Sequence, residues 1–303
     1  MKPALIIGST CVDIIINIDH LPKTEENLRP KSQTMALGGC AYNVSHMMRL
    51  FHAPHTFVTP VGTGLYGNYV AEQFDKLQIP VHVRVTDMDN GCCYCLVEAS
   101  GERTFLSVHG AEYTFQKSWM DSLPPDSHQL AYVCGLEIEE PTGLSLIEYL
   151  EEHTCLEICY APGPRGVKID PAKTERMLRL GPILHINKKE ALALSGCSSY
   201  QKAAEILHAR THNTVIITLG EHGCYCKEKT GGTFFVPSVP SGHVADTIGA
   251  GDAHIGTILA LMTKGCPLYE AVSCANLVSA AVVEIPGAIL PAGKLPAALR
   301  KYL

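Results

Sequence analysis

Asp246-Thr247-Ile248-Gly249-Ala250-Gly251-Asp252 opens directly into a helical pattern in which Ile255, Ile258, Leu259 and Met262 share one face. Gly265 supplies a helix stop and Pro267 follows it. Glycines therefore stand at a helix N-terminus, where the backbone can pass close to a ligand. Free N–H groups and the helix dipole favour an anion in such a place. Asp252 falls in the first turn. A carboxylate there can take a proton from an attacking hydroxyl while the N–H groups of Gly249, Ala250 and Gly251 hold charge developing on a phosphoryl group. The plainer alternative is an Asp that caps a helix behind a glycine turn. The segment lacks the Gly-Lys-Ser/Thr ending of a Walker loop, and no third glycine follows at the spacing of a dinucleotide fingerprint.

Outward from this segment, short apolar runs alternate with helical patterns. Leu5–Ile7, Phe57–Val61, Ala131–Cys134, Leu156–Tyr160, Ile183–Ile186 and Thr214–Thr218 read as buried strands. Val44, Met47, Met48 and Phe51 fall at helical spacing, as do Val70, Phe74 and Leu77. Such alternation predicts an α/β fold, a mostly parallel sheet covered on both faces in three α/β/α layers. Two regions break the rhythm. Ile14–Ile18 and Ser32–Leu37 look extended, and Cys92–Val97 and Thr104–Val108 flank the turn sequence Ala-Ser-Gly-Glu-Arg. They predict a small second sheet that acts as a β lid over the C-terminal edge of the main sheet, the simpler alternative being an edge hairpin. One domain spans residues 1–303, with 1–13, 38–91 and 109–303 as its core and 14–37 plus 92–108 as the lid.

The chain has 303 residues, 46% of them hydrophobic, enough for one large core. Its 24 Lys+Arg against 30 Asp+Glu give a formal charge of −6, which argues against nucleic-acid or membrane partners. The start, MKPALIIGSTCVDIIINI, carries Asp13 in its middle and reads as strands rather than a secretion signal or spanning helix. A cytoplasmic protein with reduced thiols is the expectation for its 13 Cys. Cys92, Cys93 and Cys95, and likewise Cys224 and Cys226, lack a metal-site layout, and the His residues are scattered. Buried or half-buried thiols follow.

Asp246–Asp252 resembles the C-terminal signature of the PfkB (ribokinase-like) carbohydrate kinase family, D-T-x-G-A-G-D. Gly38-Gly39-Cys40-Ala41-Tyr42-Asn43 resembles the family's other signature, G-G-x-x-x-N. Alone, an amide near a helix start more often caps it or meets water. The resemblance implies a ribokinase-like sandwich with a β-sheet lid. It also implies an ATP- and Mg²⁺-dependent transfer of phosphate onto a hydroxyl of a small sugar or sugar derivative. Asp252 would be the base, the backbone of Gly249, Ala250 and Gly251 the anion hole, and Gly39 and Asn43 contacts to sugar hydroxyls. Asp13 would bind two further hydroxyls. Asn187-Lys188-Lys189-Glu190 resembles the N-x-x-E element, placing Asn187 at the nucleotide and Glu190 on Mg²⁺ through water; it is equally a good capping pattern. Thr218-Leu219-Gly220-Glu221-His222-Gly223 resembles a nucleotide-binding loop acting through Thr218, Gly220 and Gly223, and is also a fair strand-to-hairpin turn. Asn276 matches a position near the adenine.

Other matches are partial. Arg165 sits where the family often reads D-P-N-x-R, but here the Asp and Asn are replaced; a substrate contact is its expected role. Glu137, following the Ala131–Cys134 strand, is a candidate sugar contact in competition with Glu139 and Glu140. Gly62-Thr63-Gly64-Leu65-Tyr66-Gly67 lacks the acid of G-x-D-x-x-G, a departure from ribokinase proper. Family habits add K⁺ at the Asp246 loop and a homodimer through the lid. A nucleoside kinase, including a pseudouridine-type one, is the nearest rival, with Tyr42 or Tyr113 stacking on the base. A non-catalytic sugar or nucleotide sensor is another, disfavoured by the intact D-T-I-G-A-G-D. A dehydrogenase is disfavoured by the missing early fingerprint.

Overall fold

The structure is a computed structural model that describes residues 2–124 and 126–303. In chain order the first elements are β1 (Ala4–Ile7), β2 (Cys11–Asn17), β3 (Ser32–Gly38), α1 (Cys40–Leu50), β4 (His55–Val58), β5 (Pro60–Val61), α2 (Leu65–Lys76) and β6 (Val83–Arg84). Next come β7 (Cys92–Val97), β8 (Arg103–Val108), α3 (Lys117–Asp121), β9 (Leu130–Cys134), α4 (Gly135–Glu139), α5 (Gly143–Glu152), β10 (Glu157–Ala161) and α6 (Pro171–Arg179). The last are β11 (Ile183–Asn187), α7 (Lys188–Ser195), α8 (Tyr200–Thr211), β12 (Val215–Thr218), β13 (Gly223–Lys227), β14 (Thr233–Pro237), α9 (Ala250–Thr263) and α10 (Leu268–Val283).

Two compact units result: Met1–Ile7, Asn43–Val58 and Phe115–Leu303 form the larger, Gly8–Tyr42 and Thr59–Thr114 the smaller. The larger unit holds an eight-stranded sheet in the order β14-β13-β12-β11-β10-β9-β1-β4. Strands β4 through β12 in that order run parallel, and β13 and β14 add antiparallel at one edge. Parallel strands buried on both faces must be apolar throughout, which is why Ala4–Ile7 and Leu130–Cys134 are buried at every position. Helix α9 differs from its sequence pattern. Rather than one apolar face it is buried from Ala253 through Leu261, so it is an internal helix. Gly256 explains how α1 comes close to it, since a Cβ there would lie 2.8 Å from Met47 Cβ. The α/β class and the small separate sheet are both as expected.

The smaller unit carries that second sheet, ordered β3-β2-β7-β8, and a two-stranded one of β5 with β6. It is wider than the lid boundaries drawn from sequence, since residues 8–13, 38–42, 59–91 and 109–114 also belong to it. Helix α2 accounts for much of the difference: it packs on β2, its buried Phe74 stacks on Tyr42, and Val70 is buried beside it. The expected strand Phe57–Val61 is in fact two strands. β4 pairs with β1, whereas β5 pairs with β6 in the smaller unit. All 13 cysteines are free thiols. Cys92, Cys95, Cys224 and Cys226 are buried and Cys93 is half-buried, as expected of the two clusters, and Cys155 alone is exposed. Among the described residues no helix is long and apolar enough to cross a membrane.

Candidate active site

Gly249 caps α9 with φ 72°, and a Cβ there would lie 2.4 Å from Ala288 Cβ. Both the left-handed backbone and the close approach require glycine. Asp246 braces the loop before it. Its buried carboxylate accepts the Ile248 N–H at 2.9 Å on Oδ1 and the Gly287 N–H at 2.7 Å on Oδ2. The first bond folds the loop on itself and the second ties it to the segment after α10. Beyond the cap, Gly251 faces open space. Of the first-turn N–H groups, Ala250 N–H meets Thr247 O at 3.4 Å, and Ala253 N–H makes the first bond of the helix, to Gly249 O at 2.7 Å.

Asp252 lies in the same turn and is half-buried. Asn43 of α1 donates Nδ2–H to Asp252 Oδ2 at 2.8 Å, joining residues 209 positions apart. Expected as a sugar contact, Asn43 thus also holds the carboxylate. Its Oδ1 is buried without a hydrogen-bond partner among the described residues, an acceptor awaiting a donor beside the carboxylate.

Asn276 lies on α10, the next helix, as expected. It is buried, donates Nδ2–H to Val236 O at 3.2 Å and Pro237 O at 2.9 Å, and meets His254 Nε2 through Oδ1 at 3.0 Å. His254 in turn meets His185 Nε2 through Nδ1 at 2.9 Å. Burial holds the pKa of His185 well below the ordinary value and lowers that of His254 to about 4. With its amide committed inside the core, Asn276 is not placed to read an adenine.

Strands β11 and β12 end side by side, with Asn187 in register with Thr218. Asn187 and Glu190 form a reciprocal capping box on α7. Asn187 Oδ1 accepts the Glu190 N–H at 2.9 Å, and Glu190 Oε2 accepts the Asn187 N–H at 3.1 Å. Burial raises the Glu190 pKa against the lowering effect of these bonds. A cation arriving there would offset that desolvation. Beside the pair lies a cavity of about 130 Å³ lined by Pro162, Pro164, Val167, Ile186, Asn187 and Glu190 among others. Gly220 and Gly223 form the turn of the β12–β13 hairpin.

Glu137 is fully buried in α4. Arg165 makes a two-pronged ion pair with Glu139, so its guanidinium is already held. No three or more His, Cys, Asp or Glu among the described residues converge as a metal site.

In the smaller unit Asp13 stands on β2, with the Cys11 thiol 3.7 Å from Oδ1. A Cβ at Gly38 would fall 2.2 Å from Oδ2, so glycine there leaves room for the carboxylate. Burial pushes the Asp13 pKa up to about 6. Gly39 has φ 103°, and a Cβ there would lie 2.6 Å from Ser9 O. Tyr42 is stacked on Phe74 and Tyr113 on His109, so both candidate base-stacking rings already have ring partners. The acid absent from Gly62–Gly67 is supplied from elsewhere. Asp89 accepts the Tyr66 N–H at 3.3 Å and the Gly67 N–H at 2.6 Å, capping α2 across space. Sequence reasoning missed Asp89, His185 and His254, and it named Glu139 only as a rival sugar contact, not as the partner of Arg165. For Asp89 the signal was a helix start, Gly64-Leu65, with no capping side chain of its own.

The sequence matches the family described as pfkB family carbohydrate kinase over residues 1–295. An uncharacterized sugar kinase of Escherichia coli (strain K12), YegV, is 29% identical over 289 residues, covering 93% of this chain and 88% of that protein. Among solved structures, the ribokinase of Thermotoga maritima superposes with a TM-score of 0.85 at 24% identity, covering 100% of this chain and 98% of its own. The Arabidopsis thaliana ribokinase complexed with ribose and ATP gives 0.80 at 20% identity, over 97% and 96%.

Proposed function

The chain belongs to the pfkB family of carbohydrate kinases, and from that premise we propose that it moves the γ-phosphoryl group of ATP onto a hydroxyl of a small sugar. The observation that carries this is Asp252, held by Asn43 in the first turn of α9, directly after Gly251, whose Cα side is open. Asp252 takes the proton of the attacking hydroxyl, and the Gly249–Gly251 amides receive the negative charge that builds on the transferring group. The buried Asn43 Oδ1 accepts a hydrogen bond from the acceptor. Asp13 and Gly39 contribute further contacts to acceptor hydroxyls, and a lid role for the small sheet belongs to the same proposal.

Asn187, Thr218, Gly220 and Gly223 form the nucleotide side; that the Arabidopsis ribokinase is complexed with ATP supports this choice of donor. Mg²⁺ usually binds through one or two carboxylates plus substrate phosphates, and Glu190, half-buried and hydrogen-bonded to Asn187, fits that sparse donor set. When bound, the ion would neutralise charge on the phosphates. Asp246 is assigned to bracing the loop, and Glu137, Arg165 and Asn276 are left out of the site because of their burial or existing partners. A sugar rather than a nucleoside is favoured because Tyr42 and Tyr113 are stacked within the protein.

The test is ADP release from Mg-ATP across sugars, sugar phosphates, sugar acids and nucleosides, with Asp252→Asn as control. A sugar-dependent signal that falls about 10²–10⁴-fold in the variant is expected for loss of a general base. Near-normal turnover by Asp252→Asn would sink the base assignment, and a nucleoside as best acceptor would overturn the substrate class.

A further inference from the structure

The buried chain His185–His254–Asn276 has one self-consistent proton arrangement. Asn276 gives both of its amide hydrogens to Val236 O and Pro237 O, which leaves Oδ1 as the group facing His254 Nε2. His254 Nε2 must therefore carry a proton. A neutral ring then has a bare Nδ1, and His185 Nε2 is the atom that donates to it across 2.9 Å. Every link is thereby satisfied with both rings neutral, as their burial requires. The chain joins four elements of the larger unit: β11, whose end carries Asn187; α9, whose first turn carries Asp252; α10; and the carbonyls of β14.

Helix α9 is buried around most of its circumference, and Gly256 against Met47 and the Asn43–Asp252 bond orient it on the α1 side only; on the β11 side its orientation needs a further restraint. A directional bond supplies it. His254 stands two positions after Asp252, so a bond that locks its ring also locks the turn bearing the carboxylate. We propose that His254 and His185 are positioning residues: their hydrogen-bonded chain to Asn276 sets the rotation of α9 against β11 and so the aim of Asp252. The proposal rests on Asp252 being the base.

Long-range ¹H–¹⁵N spectra of the wild-type protein at neutral pH are expected to show both rings neutral with the proton on Nε2. An Nδ1–H tautomer in either ring overturns the chain. His254→Phe keeps an aromatic ring but removes both bonds, whereas His254→Gln keeps a donor towards Asn276. With Mg-ATP and D-ribose as the probe acceptor, His254→Phe is expected to lower kcat about 10- to 100-fold through misaligned groups. Both KM values should stay within about two-fold, since the loss is confined to the transition state. Gln should recover part of kcat. Unchanged kcat per folded molecule overturns the proposal. Amide exchange gives a readout that does not need turnover. Ala253, whose N–H is bonded to Gly249 O, should exchange faster in either variant out of proportion to β1, and a uniform increase would mean that the chain serves stability only. Failure of the base assignment would show separately, in Asp252→Asn.

Discussion

Asp13 carries an ionisation cost that its neighbours do not offset. Its pKa rises to about 6 because burial outweighs the single thiol contact from Cys11. The native state therefore binds a proton that the unfolded chain has already released between about pH 4 and 6. Stability linked to this group is fully present below the unfolded pKa and is lost as pH rises through 6; an ionised Asp13 then costs up to about 3 kcal/mol. Asp13→Asn is expected to raise Tm relative to wild type at pH 7.5 by more than at pH 4. It should also raise the acceptor KM if the carboxylate binds hydroxyls. Calorimetry at the two pH values checks the first effect and steady-state kinetics the second. The motif made this residue and Asp252 legible in the sequence, because each is an acid in an apolar or glycine-rich context that needs a reason. The partners of Arg165 and Asn276 were not legible. Glu139 and His254 are ordinary residues at unremarkable positions until the fold places them beside those groups.

Helix starts hold the next set of consequences. The N-x-x-E element admitted two readings from sequence, and the structure shows that the capping box is made. Glu190→Gln separates them, since Gln can still close a capping box. If Glu190 also serves Mg²⁺, the variant keeps its Tm but needs more Mg²⁺ for half-maximal turnover; an unchanged Mg²⁺ titration leaves Glu190 as a cap alone. Helix α2 shows the converse. Its local sequence has lost its acid, and Asp89 supplies the carboxylate from beyond β6. Asp89→Ala should cost about 0.5–2 kcal/mol, the usual value of a lost N-cap, measurable by urea unfolding. No periodicity could reveal that replacement, because the cap and the helix are brought together only by the loop geometry around Gly62–Gly64.

At the scale of the whole molecule, the apolar runs gave strand positions well because buried parallel strands have little else to say in sequence. They failed at Phe57–Val61, where one continuous run divides between two sheets. Antiparallel β14 was missed altogether, since its exposed and half-buried positions dilute the pattern. The edge strand β8 exposes Phe105, Leu106 and Val108, an unpaired apolar edge of the kind that invites association. A homodimer through this edge is the expected use. Light scattering should give twice the 32.8 kDa chain mass, falling to that of a monomer in Leu106→Lys; a wild-type monomer at micromolar concentration excludes it. One contact also has a bearing on biosynthesis. Gly249 is packed against Ala288, and Asp246 against Gly287, late in a chain of 303 residues. A ribosome makes Asp246–Asp252 before it makes Gly287 and Ala288, and domains assemble in the order of synthesis. A nascent chain stopped between the two segments carries the whole Asp246–Asp252 signature without the contacts that hold it.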